Sequence, residues 1–210
     1  ARTIDAYRRV LLLEADHAQA VDELARLYRA TEAWFDLDEL YVSQADLAMD
    51  PDRRRAFLLN LGNLRAEHLS DFAGATDILS QLVREDPGDR DAVDALESLD
   101  QTLQNADNND PLRLDIARTL EPVYRSLEAV EKLAGVLEIR QSHTLDPFEK
   151  VALLDELVGL YLTHIDDPSA GLDALKRAVL ADPDDEGRRV RLLEICADQD
   201  RLEEAAQTLE

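Results

Sequence analysis

The sequence predicts an all-α chain built from repeated helical hairpins, and three observations carry that prediction. Leu and Ala dominate an apolar content of 45%, aromatic residues make up only 5%, and Gly and Pro number seven each; this balance favours helices over strands and leaves few tight turns. Apolar residues recur three and four positions apart, which is the spacing of one face of a helix. The third observation is an internal repeat: residues 51 to 87 align without gaps on residues 147 to 183 and match at 12 of 37 positions. The matches include Pro51/Pro147, Leu58/Leu154, Leu61/Leu157, His68/His164, Asp71/Asp167, Leu79/Leu175 and the pairs Asp86-Pro87/Asp182-Pro183.

The same spacing of 96 residues pairs Leu24 with Leu120, Tyr28-Arg29 with Tyr124-Arg125, and Leu37 with Leu133. Residues 17–112 and 113–208 therefore read as two copies of one block inside a single array, 1–210. Within a block, Ala20-Val21-Asp22 with Leu24 and Leu27 recurs 72 residues on as Ala92-Val93-Asp94 with Leu96 and Leu99, giving units of 34 to 38 residues.

Taken in order, Ile4 to Leu13 reads as the second helix of a preceding unit. Val21, Leu24, Leu27 and Tyr28 form the apolar face of the next helix, and Leu37, Leu40 and Tyr41 begin its partner. Trp34 and Phe35 open that partner and are expected to staple it to its neighbour, with Trp34 also placed to anchor a ligand. Asp50-Pro51, Asp86-Pro87, Asp146-Pro147 and Asp182-Pro183 punctuate the units, each a capping acid followed by a proline suited to a helix start or a loop. Too few residues separate 89 from 113 for a hairpin, so a block holds an odd number of helices and an irregular step is expected near 104–126. A loop is expected at 105–111, where Asn and Asp cluster ahead of Pro111. Pro122 should kink or restart the helix that contains it. Arg201 to Leu209 reads as an unfinished unit, and the chain as a piece of a longer repeat protein.

The stretch Asn60-Leu61-Gly62-Asn63, followed by Ala75, Leu79, Leu82 and Pro87, resembles the tetratricopeptide repeat (TPR) signature. Residues 147 to 183 echo it with Leu154, Leu157, Tyr161, Gly171, Leu175, Ala178 and Pro183, and residues 17 to 51 keep Leu24, Ala25 and Tyr28. Two departures stand out: Trp is missing from the usual first-helix position, and the helices of 51–70 and 147–166 look about a turn longer than usual. The resemblance implies a right-handed α-solenoid of about twelve antiparallel helices, with the first helices of successive units lining a concave groove.

Groove-facing positions then lie two before, two after and five after each signature Leu. These give Asp22, Arg26 and Arg29 from Leu24, Leu59 and Asn63 from Leu61, and Arg118, Arg125, Asp155 and Arg191 from Leu120, Leu157 and Leu193. Arg26, Arg29 and Asn63 together suit a peptide, because a guanidinium grips a carboxylate at two points and an Asn amide bonds an extended backbone. Some members of the family hold a C-terminal carboxylate in such a clamp, whose paired Lys and Asn residues this sequence has only in part. Alternatively Arg26 and Arg29 pair with Glu23, Glu32 or Asp22 on their own helix.

The remaining chemistry is sparse. With 46 acidic and 23 basic residues the formal net charge is −23, a field that repels nucleic acid and anionic lipid and permits a basic protein partner. His17, His68, His143 and His164 fall in separate units without ligand spacing, so no metal is expected. The acidic run at 182–186 lacks the Gly and the late Glu of a calcium loop. No phosphate cradle, nucleophile elbow or metalloprotease helix occurs, so no catalytic residue, no cofactor and no enzyme activity are expected. Cys196 reads as a small buried hydrophobe. Without a membrane span or leader the expected location is the cytoplasm. The expected function is a scaffold that binds a peptide or helix of a partner protein in the groove. The alternative is an architectural spacer, or a self-associating segment with uncapped ends, within a longer array.

Overall fold

The computed structural model describes residues 2–104, 110–198 and 200–209, and among these it contains twelve α-helices and no strand. In chain order they are α1 (Arg2–Leu13), α2 (Ala18–Ala30), α3 (Trp34–Leu47), α4 (Pro51–Leu64), α5 (Phe72–Glu85), α6 (Arg90–Gln104), α7 (Asp110–Ser126), α8 (Val130–His143), α9 (Pro147–Leu160), α10 (Pro168–Ala181), α11 (Glu186–Asp198) and α12 (Leu202–Leu209). The chain divides into two compact units, Ala1–Ile116 and Ala117–Glu210, with the division inside α7.

Helices α2 to α6 recur as α7 to α11 at the 96-residue spacing, so the odd number is five helices per block. The correspondence extends to the backbone. Glu32 and Glu128 both adopt left-handed φ, at 55° and 52°, as do Ser70 and Asp166 at 54° and 59°. Glu32 and Glu128 end α2 and α7 in Schellman closures: Ala33 N–H donates to the Tyr28 carbonyl at 2.9 Å, and Ala129 N–H to that of Tyr124 at 3.0 Å.

The longer helices of the sequence reading have a specific form. α4 passes directly into a π turn, Arg65–Leu69, and α9 into its twin, Tyr161–Ile165. The closing bonds are correspondingly one residue wider, from Asp71 N–H to Arg65 carbonyl (3.0 Å) and from Asp167 N–H to Tyr161 carbonyl (2.9 Å). Asp71 and Asp167 then cap α5 and α10, accepting from Gly74 N–H and from Ser169 and Ala170 N–H.

The four Asp-Pro pairs divide into two kinds. Asp50 and Asp146 cap α4 and α9 with Pro at the first helical position. Asp86 and Asp182 instead end α5 and α10. Caps for the following helices come from Asp89 and Asp185, which accept from Ala92 N–H at 3.1 Å and Arg188 N–H at 2.8 Å. Residues 105–109 of the expected loop lie outside the described residues. Asp110 and Pro111 belong to α7, which runs through Pro122 without a restart.

In the first unit each helix from α1 to α6 packs on the next. The core of α2, α3 and α4 is Leu24, Ala25, Tyr28, Leu37, Leu40, Tyr41, Leu61 and Leu64, with Ile4, Tyr7 and Leu11 of α1 partly buried against it. Gly62 lets α4 approach α5: a Cβ there would lie 2.7 Å from a methyl of Leu79. In the second unit α8 packs on α9, α9 on α10, α10 on α11, and α12 on both α10 and α11. The side chains of Leu154, Leu157, Val158 and Leu172 are fully buried there, and so is Cys196. Here the close approach is at Gly171, where a Cβ would lie 2.5 Å from Leu162.

Candidate functional site

α2, α3 and α4 position a pocket of about 180 Å³ lined by Arg29, Trp34, Tyr41, Asn60, Asn63 and His68, with Leu37, Leu64 and Glu67. Each helix contributes through its own register. Tyr28 turns inward into the core, so Arg29 faces out at the end of α2. Trp34 is the first residue of α3, and Tyr41 lies two turns on, over the same core. Asn60 and Asn63 are one turn apart on α4, and the π turn carries His68 back beside Trp34. The two rings stack with centroids 3.8 Å apart and planes within 4°.

The Arg29 guanidinium donates to the Tyr41 hydroxyl and sits 5.8 Å from the centre of its ring. Burial raises the pKa of that hydroxyl, with Arg29 opposing the shift and Asp22 adding to it. The phenol therefore stays protonated at neutral pH and can donate to an acceptor in the pocket. No carboxylate lies within ion-pair distance of Arg29 among the described residues, and the half-buried Asn63 amide makes no hydrogen bond there. Asn60 spends one amide hydrogen on the Ala56 carbonyl at 2.7 Å.

Of the sequence-predicted groove residues, the pocket brings together Arg29 and Asn63. Asp22 lies two turns before Arg29 on the same face of α2, felt by Tyr41 but not lining the pocket. Arg26 points to solvent and pairs with Glu23 at 2.8 Å, so one of the two arginines follows the local-pairing alternative and the other does not. Leu59 is half-buried on α4 away from the pocket. Phe35 does not staple α3, being 78% exposed; the packing is done by Trp34.

The remaining positions lie in the second unit. Arg118 is exposed on α7 and adds to the low pKa of Glu149, whose main causes are Thr144 and Arg140. Arg125 is held by Glu156 at 2.5 and 2.9 Å and by Glu121 at 2.9 Å. Asp155 accepts from Arg188 at 2.8 Å, and the same guanidinium also meets Asp182 at 2.8 Å and Asp185 at 3.0 Å. Arg191 is exposed on α11. Leu193, from which Arg191 is counted, is 42% exposed, whereas Leu192 is fully buried. Leu192 is thus the equivalent of Leu96, 96 residues earlier.

The two copies differ at the pocket in one decisive position. Arg29 corresponds to Arg125, and Asn60 to Glu156. In the second unit a glutamate of the chain occupies the guanidinium with a two-point contact; in the first unit a neutral amide stands in that place. Tyr41, Asn60 and His68 do not fall at the groove-facing spacings, and the sequence reading gives them no binding role. The Asn60/Glu156 difference was the signal in the alignment that could have found them.

Four His residues have local partners of other kinds. His17 caps α2 by accepting from Ala20 N–H, His68 stacks, His143 contacts the Ile139 carbonyl at 2.8 Å, and His164 contacts Thr163 at 2.6 Å. Among the described residues no group of three His, Cys, Asp or Glu side chains could hold a metal, and no helix is long and apolar enough to cross a membrane.

No family model matches the chain, and none of the curated proteins does. Among solved structures it is similar to BtubC (BKLC) from P. vanneervenii, at 15% identity over 99% of this chain and 84% of that one, with a TM-score of 0.32. It is also similar to a kinesin light chain protein of Podosopora anserina with nearly identical TPR-like repeats, at 15% identity over 91% and 92% of the two chains, with a TM-score of 0.32. A third likeness is to Naa15/Naa10 bound to HypK-THB, at 14% identity over 98% of this chain and 44% of that one, with a TM-score of 0.31. At these TM-scores the likenesses do not set the architecture, which stands on the twelve helices of the chain and the repeat that relates them.

Proposed function

We propose that the chain is a non-catalytic protein-interaction scaffold, and that its first unit holds a partner polypeptide by a carboxylate seated in the Arg29 pocket. The observation that carries this reading is the pair Arg29/Asn60 set against Arg125/Glu156. A guanidinium fork that the second copy fills with its own glutamate is left for an outside carboxylate in the first. The Tyr41 hydroxyl and the Asn63 amide are there to donate beside it. The stacked Trp34 and His68 supply a flat apolar wall for the residue that bears the carboxylate. With a net charge of −23 on the chain, the surrounding field favours a ligand whose flanking residues are basic.

Trp34 is the sole tryptophan, so its emission reports on the pocket directly. A peptide ending in a free carboxylate after two lysines should change that emission on titration, and its C-terminal amide should bind about tenfold to a hundredfold more weakly, the worth of a charge-assisted hydrogen-bond pair. Arg29→Ala and Asn63→Ala should lose a comparable factor, and Arg26→Ala should lose none. Asn60→Glu installs the second copy's internal carboxylate and should close the pocket without harm to the fold. Equal binding of acid and amide, or an Asn60→Glu protein that binds as before, would leave the spacer reading in its place.

A further inference from the structure

We propose that the second unit carries a separate docking site, a socket for an arginine side chain of a partner polypeptide, in the cavity between the start of α9, the end of α10 and the start of α11. The cavity measures about 400 Å³, and Arg188 lies at its edge. Phe148, Val151, Ala152 and Ala181 give it apolar walls, and Asp155 and Asp182 give it an acidic rim. That size falls within the range of clefts that take small ligands. The site shares no residue with the Arg29 pocket and does not depend on it.

The first unit shows what such a cavity accepts. The residue 96 positions before Val151 is Arg55. The Arg55 guanidinium crosses from α4 to grip the Asp89 carboxylate at two points and reaches Asp91 at 2.9 Å. Asp89 is the equivalent of Asp185. The first unit therefore fills this place with an arginine of its own. In the second unit the same position is a valine, whose short side chain stops at the wall and leaves the space beyond it open.

Charge points the same way. Asp155, Asp182 and Asp185 share the single guanidinium of Arg188, so three carboxylates meet one positive charge. A second cation completes the set, as Asp89 and Asp91 are completed by Arg55. The methylene stem of an incoming arginine has Val151, Ala152 and Ala181 to pack on. Phe148, 88% exposed at the mouth, offers its ring face to the guanidinium; its equivalent in the first unit is Asp52.

The test uses the whole chain and two blocked peptides, N-acetylated and C-amidated so that neither carries a carboxylate: one with a central arginine flanked by alanines, the other with citrulline, the neutral isostere, in its place. Methyl NMR signals of Val151, Ala152 and Ala181 should move on addition of the arginine peptide, and the citrulline peptide should bind at least about tenfold more weakly. Val151→Arg rebuilds the internal tie of the first unit and should abolish the shifts at Ala152 and Ala181. Phe148→Ala, a change at an exposed side chain that the fold tolerates, should weaken binding by about threefold to tenfold. The proposal is overturned if those methyls stay still at millimolar peptide, if citrulline binds as well as arginine, or if a folded Val151→Arg protein still binds. Should Val151→Arg not fold, an unchanged affinity in Phe148→Ala together with citrulline binding overturns it equally.

Discussion

The two copies of the 96-residue block share an order of five helices and solve its polar problems with opposite hands. In the first, α4 supplies the arginine and the start of α6 supplies the acids, through Arg55, Asp89 and Asp91. In the second, α11 supplies the arginine and α9 the first acid, through Arg188 and Asp155. The close helix approach has moved in the same way. Gly62 on α4 faces Leu79 of α5, whereas in the second copy position 158 is a valine and the glycine is Gly171 on α10, facing Leu162. A fold specified by apolar spacing leaves open which partner carries the charge and which carries the missing side chain, provided that the pair is complementary. What cannot be shared between the copies is a surplus, and the two surpluses are Arg29 in the first and the carboxylates around Arg188 in the second.

The comparison can be broken most strongly in the cores, where the copies are equivalent. Leu61→Ala and Leu157→Ala, at positions 3% and 0% exposed, should each cost about 2–5 kcal/mol in urea denaturation followed by circular dichroism. A large cost at one and none at the other would mean that the two cores are not the same construction. Placing the second copy's residue in the first, Gly62→Val, should cost about 1–3 kcal/mol through overpacking against Leu79. Relieving the opposing side chain with Leu79→Ala should recover part of it. A Gly62→Val protein as stable as the parent would remove the glycine argument.

Two smaller measurements sharpen the contrast between the ion pairs. Asp89→Ala removes a buried carboxylate that both caps α6 and receives Arg55, and should cost about 2–3 kcal/mol. Asp185→Ala should cost about 1 kcal/mol, the cap alone, because Asp155 and Asp182 still hold Arg188. Equal costs would erase the distinction between Asp89, a buried acceptor gripped at two points, and Asp185, a partly exposed member of a set of three. The Asp89 carboxyl is held below its ordinary range, mainly by the hydrogen bonds from Arg55. Its contribution is therefore complete above the unfolded-state value of about 3.9 and is lost as the pH falls through the lower folded value. Stability of the first unit, read from Trp34 emission in urea, should be level from pH 7 to about 5 and fall below about 4, with a shallower fall in Asp89→Asn. Smallest of all, Glu32→Gly and Glu128→Gly relieve a left-handed backbone and should each stabilise by up to about 1 kcal/mol.

Most of the helices were legible because the repeat aligns without gaps: Pro51 and Pro147 mark their starts, and Leu24, Leu37, Leu61 and Leu96 all proved buried. Leu192 and Leu193 show where periodicity fails. Adjacent residues on a helix are about 100° apart, and only the partner one turn on, Cys196 rather than Ala197, tells which of two neighbouring leucines is core. Of the nine residues that line the proposed pocket, the sequence had singled out three for a binding role, Arg29 and Asn63 through a family resemblance and Trp34 as an aromatic opening its helix. Arg26 pairs with Glu23, the local alternative, and the spacing rule could not choose between the two because it places a position on a helix and says nothing of what a carboxylate one turn away will do. The roles of Tyr41 and His68 depend on contacts across helices, which no local pattern records.

The π turns have one more consequence, for anyone who cuts or joins this chain. Each one takes up a single extra residue in the last turn of its helix, so the side chains within it are turned by about 100° from where a regular α-helical ladder would set them. Arg65–Leu69 and Tyr161–Ile165 are therefore phase marks. Deleting one residue there would restore a regular ladder, turn His68 away from Trp34, and break the closing bond from Asp71 N–H to the Arg65 carbonyl, while a deletion one turn earlier would slide Leu64 out of the core. A splice between copies keeps its register only if it carries the extra residue along.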